Sequence, residues 1–149
     1  MSKEANAGEL RTPIMVFNRT KTNDADGYET ETWTNVFGQD DDGNEKTVRC
    51  KWINVHGTEI YDAAQLGLTE PATLTIRYSP LITATCLIYR AAEYVEALAA
   101  GDEIEDEGES AAAVNAALAA TAYEIISLDN VEQRNKWLEI KLKRKVTPV

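Results

Sequence analysis

The chain has 149 residues, 44% of them apolar, and a net charge of −10, which allows one modest hydrophobic core. No apolar run approaches the ~18 residues that a membrane-spanning helix needs. The N-terminal stretch MSKEANAGEL has no apolar segment of the kind that a secretory signal uses. We therefore expect a single domain over residues 1–149, of which residues 1–9 form a flexible N-terminal arm.

The negative charge is concentrated in residues 91–121, which hold eight acidic side chains and no Lys or Arg. These eight account for −8 of the −10, so the rest of the chain carries only −2. Alanine-rich sequence flanks the acidic run AAGDEIEDEGES on both sides. The chain is therefore a nearly neutral body with one acidic block.

Seven short segments alternate apolar with polar residues, the pattern of strands that have one wet face. In chain order these predicted strands are Ile14–Arg19, Glu31–Gly38, Thr47–Val55, Ala72–Tyr78, Cys86–Arg90, Tyr123–Leu128 and Trp137–Lys145. The Asp-Gly cluster Thr20–Tyr28 predicts a hairpin turn, and Thr58–Leu66 has the caps of a short helix. The sequence therefore predicts a mainly β protein, a small antiparallel barrel or sandwich.

The acidic block is predicted to be a helical insertion in a hairpin. Without it, the apolar strand CLIYR would run directly into AYEIISL. Hairpin tips tolerate insertions, since closing a longer loop costs only ~0.6 kcal/mol per doubling of its length. We expect two short helices with an acidic elbow, the first ended by Gly101 and the second capped by Ser110. Helices this short need a partner surface to be stable.

No metal, cofactor or catalytic centre is indicated. Cys50 and Cys86 are the only cysteines and His56 is the only histidine, whereas a zinc site needs about four such ligands. Both cysteines alternate with apolar neighbours, which favours buried reduced thiols over a disulfide. The sequence has no glycine-rich phosphate loop and no nucleophile elbow, so we expect no enzyme activity.

The C-terminal strand supplies candidates for a subunit interface. Of the three tryptophans, Trp52 is expected in the core and Trp137 is the best interface candidate. Lys141, Lys143 and Lys145 lie on the polar face of the same strand. They are candidates for the interface too, although lysines at such positions are more often solubilising edge charges. Duplex DNA binding is disfavoured, because no aromatic residues or compact basic surface accompany them.

Five segments are distinctive together, through their order and spacing: ELRTPIMVFNRT, DGYETETW, CKWINVHGTEIYDAAQLG, ATLTIRYSPLIT and YEIISLDNVEQRNKWLEIKLK. They resemble the phage head–tail adaptor family, the head-closure or head-completion proteins of long-tailed bacteriophages. The resemblance covers roughly Glu9–Arg90 and Ala122–Val146. The acidic insertion is the main departure from the family pattern.

The resemblance implies a small β-barrel that forms a homo-oligomeric ring, expected to be a dodecamer, in the virion neck. Such a ring lies between portal or connector proteins above and tail completion or terminator proteins below. It continues the channel through which double-stranded DNA passes without specific binding. The resemblance also implies assembly in the host cytoplasm, no catalysis and no membrane. A tail-terminator or tail-completion ring and a free-standing β-barrel binding module stay open as alternatives.

The acidic residues of the elbow form the second candidate site: Asp102, Glu103, Glu105, Asp106, Glu107 and Glu109. Three interpretations stay open. The elbow lines or narrows the DNA channel, where carboxylates would repel phosphates. Alternatively, it contacts a neighbouring ring or subunit through a basic patch such as residues 141–145. In the third interpretation it is a solvated loop with no specific role.

Overall fold

A computed structural model describes residues 7–54 and 71–144, with side chains from residue 8 onward. The predicted helix Thr58–Leu66, His56 and Lys145 lie outside the described residues, as do the first six residues of the expected arm. The end of the arm forms a single 3-10 turn, Ala7–Glu9. No helix in the described ranges is long and apolar enough to cross a membrane.

The described ranges contain seven strands and two α-helices. The strands are β1 (Thr12–Asn23), β2 (Glu29–Asn35), β3 (Val48–Asn54), β4 (Ala72–Arg77), β5 (Leu87–Arg90), β6 (Tyr123–Asn130) and β7 (Trp137–Arg144). The helices are α1 (Ala91–Leu98) and α2 (Glu107–Thr121), with a 3-10 turn, Ala99–Gly101, after α1. Each predicted strand overlaps an observed one, and the mainly β fold is confirmed.

Six strands close into an antiparallel barrel. The order around it is β1-β3-β4-β7-β6-β5, and β5 pairs back with β1, for example Met15 with Tyr89. One edge of β1 contacts β3 and the other contacts β5. Closure removes the exposed edges that an open sheet would leave along these segments. Of the two predicted architectures, barrel and sandwich, the structure is the barrel.

Alternation along the strands sends one set of side chains into the barrel. In β7, Leu138, Ile140 and Leu142 are buried while Glu139 and Lys141 are exposed, as the pattern predicted. The buried cluster comprises Ile14, Val16, Cys50, Leu74, Ile76, Ile82, Cys86, Ile88, Tyr123, Leu138, Ile140 and Leu142. Burial of this apolar surface, worth roughly 25 cal/mol per Å², is the main force that holds the barrel together.

The first hairpin extends beyond the barrel as a two-stranded ribbon, residues 19–34. β1 continues to Asn23, past the predicted end at Arg19, and pairs with β2 as far as Asn23 opposite Glu29. Every residue of the ribbon is exposed. The predicted nine-residue turn is therefore mostly strand, and only the Asp-Gly segment between Asp24 and Tyr28 turns the chain.

Threonine pairs explain why these strands are longer than the apolar pattern predicted. Thr20 lies opposite Thr32 and Thr22 opposite Thr30, on one face of the ribbon. The hydroxyls of Thr22 and Thr30 are hydrogen-bonded at 2.8 Å. β-Branched residues favour strands and cross-strand pairs stabilise them, so the hairpin lengthens without an apolar face.

Candidate assembly surfaces

The helical insertion leaves the barrel at Arg90 and returns at Tyr123, the adjoining ends of two paired strands. β5 and β6 pair antiparallel, with Ile88 opposite Tyr123. The two helices with an acidic elbow between them are as the sequence predicted. The insertion therefore replaces the turn of a hairpin and leaves the barrel closed.

The cap of the second helix differs from the prediction. Asp106, not Ser110, is the N-cap of α2, and its side chain accepts a hydrogen bond from Glu109 N at 2.9 Å. An aspartate satisfies one of the free N–H groups of a helix start, so α2 begins one turn earlier. Ser110 instead donates from Oγ to the carbonyl oxygen of Gly101 at 2.9 Å, which holds the two helices together across the elbow.

A half-buried ion pair joins the insertion to the barrel. Arg144, at the end of β7, donates to Glu93 Oε2 at 3.0 Å and to the carbonyl oxygen of Thr121 at 3.1 Å. Its guanidinium also lies over the Tyr123 ring, 4.3 Å from the centroid. One arginine thus contacts both helices and the barrel, so the insertion does not move freely about its attachment points.

Aromatic side chains form the second attachment. Tyr94 of α1 stacks on Phe17 of β1 at 5.8 Å between centroids, and Tyr89 of β5 packs edge-on against both rings. Burial raises the pKa of Tyr89, with Tyr94 adding to the shift. Burial also raises the pKa of Tyr94, and the carboxylate of Glu45 contributes. The first helix is therefore packed on the barrel wall.

The acidic elbow itself, residues 102–109, faces solvent. Its six carboxylates are exposed, and none forms an ion pair with a described residue. Ile104, in the middle of the run, is only half-buried. α2 adds no fully buried residue. The elbow is thus an ordered, strongly negative surface with a small apolar centre.

The basic residues of β7 do not form one patch. Lys141 is exposed, whereas Lys143 makes a loose ion pair, 3.9 Å, with Glu124 across the β6–β7 hairpin. The neighbouring Arg144 pairs with Glu93 of the insertion. An interface role for Lys141 and Lys143 stays a prediction.

The tryptophans occupy three different environments. Trp52 packs on the core, with its ring 4.9 Å from Tyr123 and its Nε1 donating to Asn54. Trp137 is only 8% exposed at the start of β7, so its role as an interface anchor stays a prediction. Trp33, on the ribbon, is 38% exposed. Glu31, two residues earlier on the same face of β2, is charged and exposed, and it was the signal that this tryptophan lies outside the core.

Both thiols are buried and free. Neither Cys50 nor Cys86 is in a disulfide, so the prediction of buried reduced thiols is confirmed. Burial raises the pKa of Cys50 to about 12, against a smaller opposing effect of Arg90. A thiol with such a pKa is a poor nucleophile near neutral pH. Among the described residues, no group of three or more His, Cys, Asp or Glu could hold a metal ion.

Two clefts open on the surface of the described ranges. The first, of about 380 Å³, is lined by Leu10, Phe37, Val48, Arg49, Ile76, Arg77, Tyr78 and Ser79. We call it the arginine cleft. The second, of about 370 Å³, lies between the ribbon and the barrel, and its lining mixes charged residues such as Arg19 and Glu124 with apolar ones such as Trp33 and Leu87. No carboxylate or histidine is among the described residues that line the arginine cleft. The second cleft is lined by Cys86, Glu31 and Glu124, but the Cys86 sulfur is hydrogen-bonded to Thr83.

Comparisons with known proteins place this architecture. The family model described as phage head completion protein matches residues 5–145. The solution structure of protein SF1141 from Shigella flexneri 2a is similar, with a TM-score of 0.55 and 21% identity over 97% of this chain and 100% of that chain. A chain from the virion of a native gene transfer agent particle has a TM-score of 0.45 and 9% identity, over 93% and 97%. No curated protein sequence matches the chain significantly.

Proposed function

Because the chain belongs to the phage head completion protein family, we propose that it is a ring subunit of the virion neck, where it joins the head to the tail. Membership of the family assigns the chain a structural role connected with the phage head. The proposal adds the place and the form of assembly: a dodecameric ring that contacts portal or connector proteins above and tail completion or terminator proteins below, assembled in the host cytoplasm.

The exposed ribbon is the feature that best supports the proposal of a ring. Its sixteen residues, 19–34, are all exposed, and β1 and β2 pair there only with each other among the described strands. A two-stranded ribbon is marginally stable alone, and its unpaired edges invite another chain. A contact between unlike surfaces of identical copies repeats from copy to copy and closes into a ring when the rotation allows.

A structural role without catalysis agrees with the chemistry of the described side chains. The Cys50 thiol is buried with a pKa raised to about 12, and the buried Cys86 thiol of the second cleft is hydrogen-bonded to Thr83, not to a carboxylate that could act as its base. We propose that the protein acts by binding its neighbours and leaving an open passage for DNA.

The charge of the chain suits a passage of this kind. A wall rich in Lys and Arg would bind phosphates and release counterions, so the duplex would adhere. This chain has no excess of Lys and Arg: residues 91–121 account for −8 of its net charge of −10 and the rest is nearly neutral, so it does not attract DNA at long range.

Deletion of the gene from its phage tests this proposal, with the wild-type chain supplied in trans as the control. We expect filled heads without tails beside free tails of normal length, since a head–tail joint would be missing. Tails of irregular length would indicate a tail terminator instead. Normal, infectious particles would indicate that the chain is a binding module outside the virion, and either result would overturn the proposal.

A further inference from the structure

The arginine cleft presents two cations and, among the described residues that line it, no anion. Arg49, on β3, and Arg77, at the end of β4, are exposed and make no ion pair with any described residue. β3 and β4 pair with Lys51 opposite Thr75, and continuing that register brings the two arginines to facing positions. Like charges at facing strand positions destabilise a sheet, so an anion between them would be favourable.

The rest of the cleft is mainly apolar. Its lining includes Phe37, Val48 and Tyr78, each partly buried against the core. A ligand that fills it would therefore combine an apolar group with negative charge. Inorganic anions have the charge without the apolar group, whereas an acidic peptide segment with one aliphatic side chain has both.

The acidic elbow has this composition. Ile104 is half-buried and lies between Glu103 and Glu105, which are exposed and without cationic partners among the described residues. The elbow is also preformed, because Ser110 is bonded to Gly101 and Asp106 caps α2. A preformed segment loses little conformational entropy when it binds.

Arg77 and the insertion lie at opposite ends of β7, whereas Arg49 lies two strands from Arg90, where the insertion begins. Arg77 pairs with Trp137 at the start of β7, whereas the insertion is attached beside Arg144 at its end. The eight residues of β7 span about 25 Å. The elbow carboxylates also form no ion pair with a described residue of their own chain. Both observations favour contact with the cleft of a second copy, and such a head-to-tail contact is the kind that builds rings.

We propose that the elbow of each copy docks into the arginine cleft of the next copy. Ile104 packs on the apolar lining, and the carboxylates of Glu103 and Glu105 pair with the guanidiniums of Arg49 and Arg77. This inference rests on the proposed ring and names the contact between neighbouring subunits. It replaces residues 141–145 as the basic partner of the elbow, because Lys143 and Arg144 already pair with carboxylates of their own chain.

Disulfide trapping tests the contact in the full-length protein, since it captures weak association. Ile104→Cys in one preparation is mixed with Ser79→Cys in another and oxidised. We expect roughly ten-fold more cross-linked heterodimer than in control mixtures, because docking raises the effective concentration of the two thiols. The matched controls pair Ser79→Cys with Ala116→Cys on α2, and Ile104→Cys with Thr20→Cys on the ribbon, both at exposed positions.

Charge reversal shows whether the proposed ion pairs hold the contact. Adding R49E/R77E to the Ser79→Cys chain, or E103K/E105K to the Ile104→Cys chain, should each lower trapping by roughly ten-fold. Combining both reversed chains should restore it. All four side chains are exposed, so the variants should fold, and circular dichroism checks this.

Trapping at the control level, or no recovery when both charges are reversed, would overturn the contact. The proposed function has a separate outcome. If particles contain the neck ring but no cross-linked heterodimer forms in solution, the contact between elbow and cleft is refuted and the proposed ring still stands. Trapping with the predicted charge dependence, together with normal particles after gene deletion, would remove the neck assignment and leave the contact.

Discussion

At the scale of single residues, Arg144 is the side chain on which the attachment of the insertion depends. It contacts Glu93 in α1 and the carbonyl oxygen of Thr121 at the end of α2, both from the last residue of β7. The pair is half-buried, so removing Arg144 leaves the partly desolvated Glu93 with only a looser pair, 3.8 Å, to Arg90. Lys143, one residue earlier, makes only a loose, more exposed pair.

The variant Arg144→Met should therefore lose roughly 1–3 kcal/mol of unfolding free energy, measured by urea denaturation. Lys143→Met is the matched control, and it should lose less than about 0.5 kcal/mol, as exposed ion pairs do. Equal losses in the two variants would show that Arg144 does not hold the insertion.

The buried thiol predicts loss of stability at alkaline pH. Burial raises the pKa of Cys50 from 9.0 to about 12, so the folded chain holds this proton more tightly than the unfolded chain does. Its contribution to stability is present below pH 9 and is lost as the pH rises towards 12, at up to about 1.4 kcal/mol per pH unit. The raised pKa values of Tyr89 and Tyr94 act in the same direction.

Denaturation measured across this pH range should show a steep decline for the wild type and a shallower one for Cys50→Ala. The slope is informative even though the alanine variant has a cavity, because the cavity lowers stability at every pH. Parallel slopes for the two proteins would refute the role of the thiol.

At the scale of elements, the two helices of the insertion touch at a glycine. A Cβ atom added at Gly101 would lie 2.8 Å from the carbonyl oxygen of Ser110, closer than packed atoms allow. Gly108, in the first turn of α2, would place its Cβ 3.2 Å from a side-chain oxygen of Asp106. Only the first contact involves the backbone of the facing helix.

Gly101→Ala should accordingly cost about 1–3 kcal/mol and separate the helices. Gly108→Ala should change stability by less than about 1 kcal/mol, since the higher helix propensity of alanine offsets the tighter contact. Hydrogen exchange in α2 reports the separation. Unchanged protection of α2 in Gly101→Ala would contradict the close packing of the helices.

The ribbon is the element whose removal should separate folding from assembly. The side chains of residues 19–34 are all exposed, so replacing residues 19–33 with a two-residue Asn-Gly turn between the paired residues Asn18 and Thr34 should change barrel stability by less than about 1 kcal/mol. If the ribbon links neighbouring copies, this variant should stay monomeric when it is mixed with the portal protein, and native mass spectrometry measures its oligomeric state. Ring formation by the shortened chain would show that the ribbon is dispensable. The single substitution Trp33→Thr is the milder comparison.

At the scale of the whole molecule, the local sequence pattern predicted the features that neighbouring residues determine, namely where the strands lie and which of their faces is buried. Alternation located the strands, and the side-chain period of two fixed which face of β7 is buried. The Thr20–Thr32 and Thr22–Thr30 pairs lengthen the ribbon beyond its apolar pattern. Asp106, not Ser110, caps α2, because the helix begins one turn earlier than predicted. Both signals were present in the sequence, since threonine favours strands and aspartate caps helices about as well as serine does.

What escaped prediction depends on distant pairing. Arg144 meets Glu93 across 51 residues, and the arginine cleft combines the start of β3 with the end of β4. Barrel closure itself depends on β5 returning to β1. No local period encodes these partners, because the register of strands far apart in sequence is set by the packing of the whole core.

The account depends most on the claim that copies of this chain close a ring in the neck. An electron cryo-microscopy map of the intact particle measures this directly. We expect a closed ring of these barrels beneath the portal, with each ribbon against a neighbour and the DNA channel running through the centre. A neck without this chain, or one holding it as an isolated copy, would contradict the account.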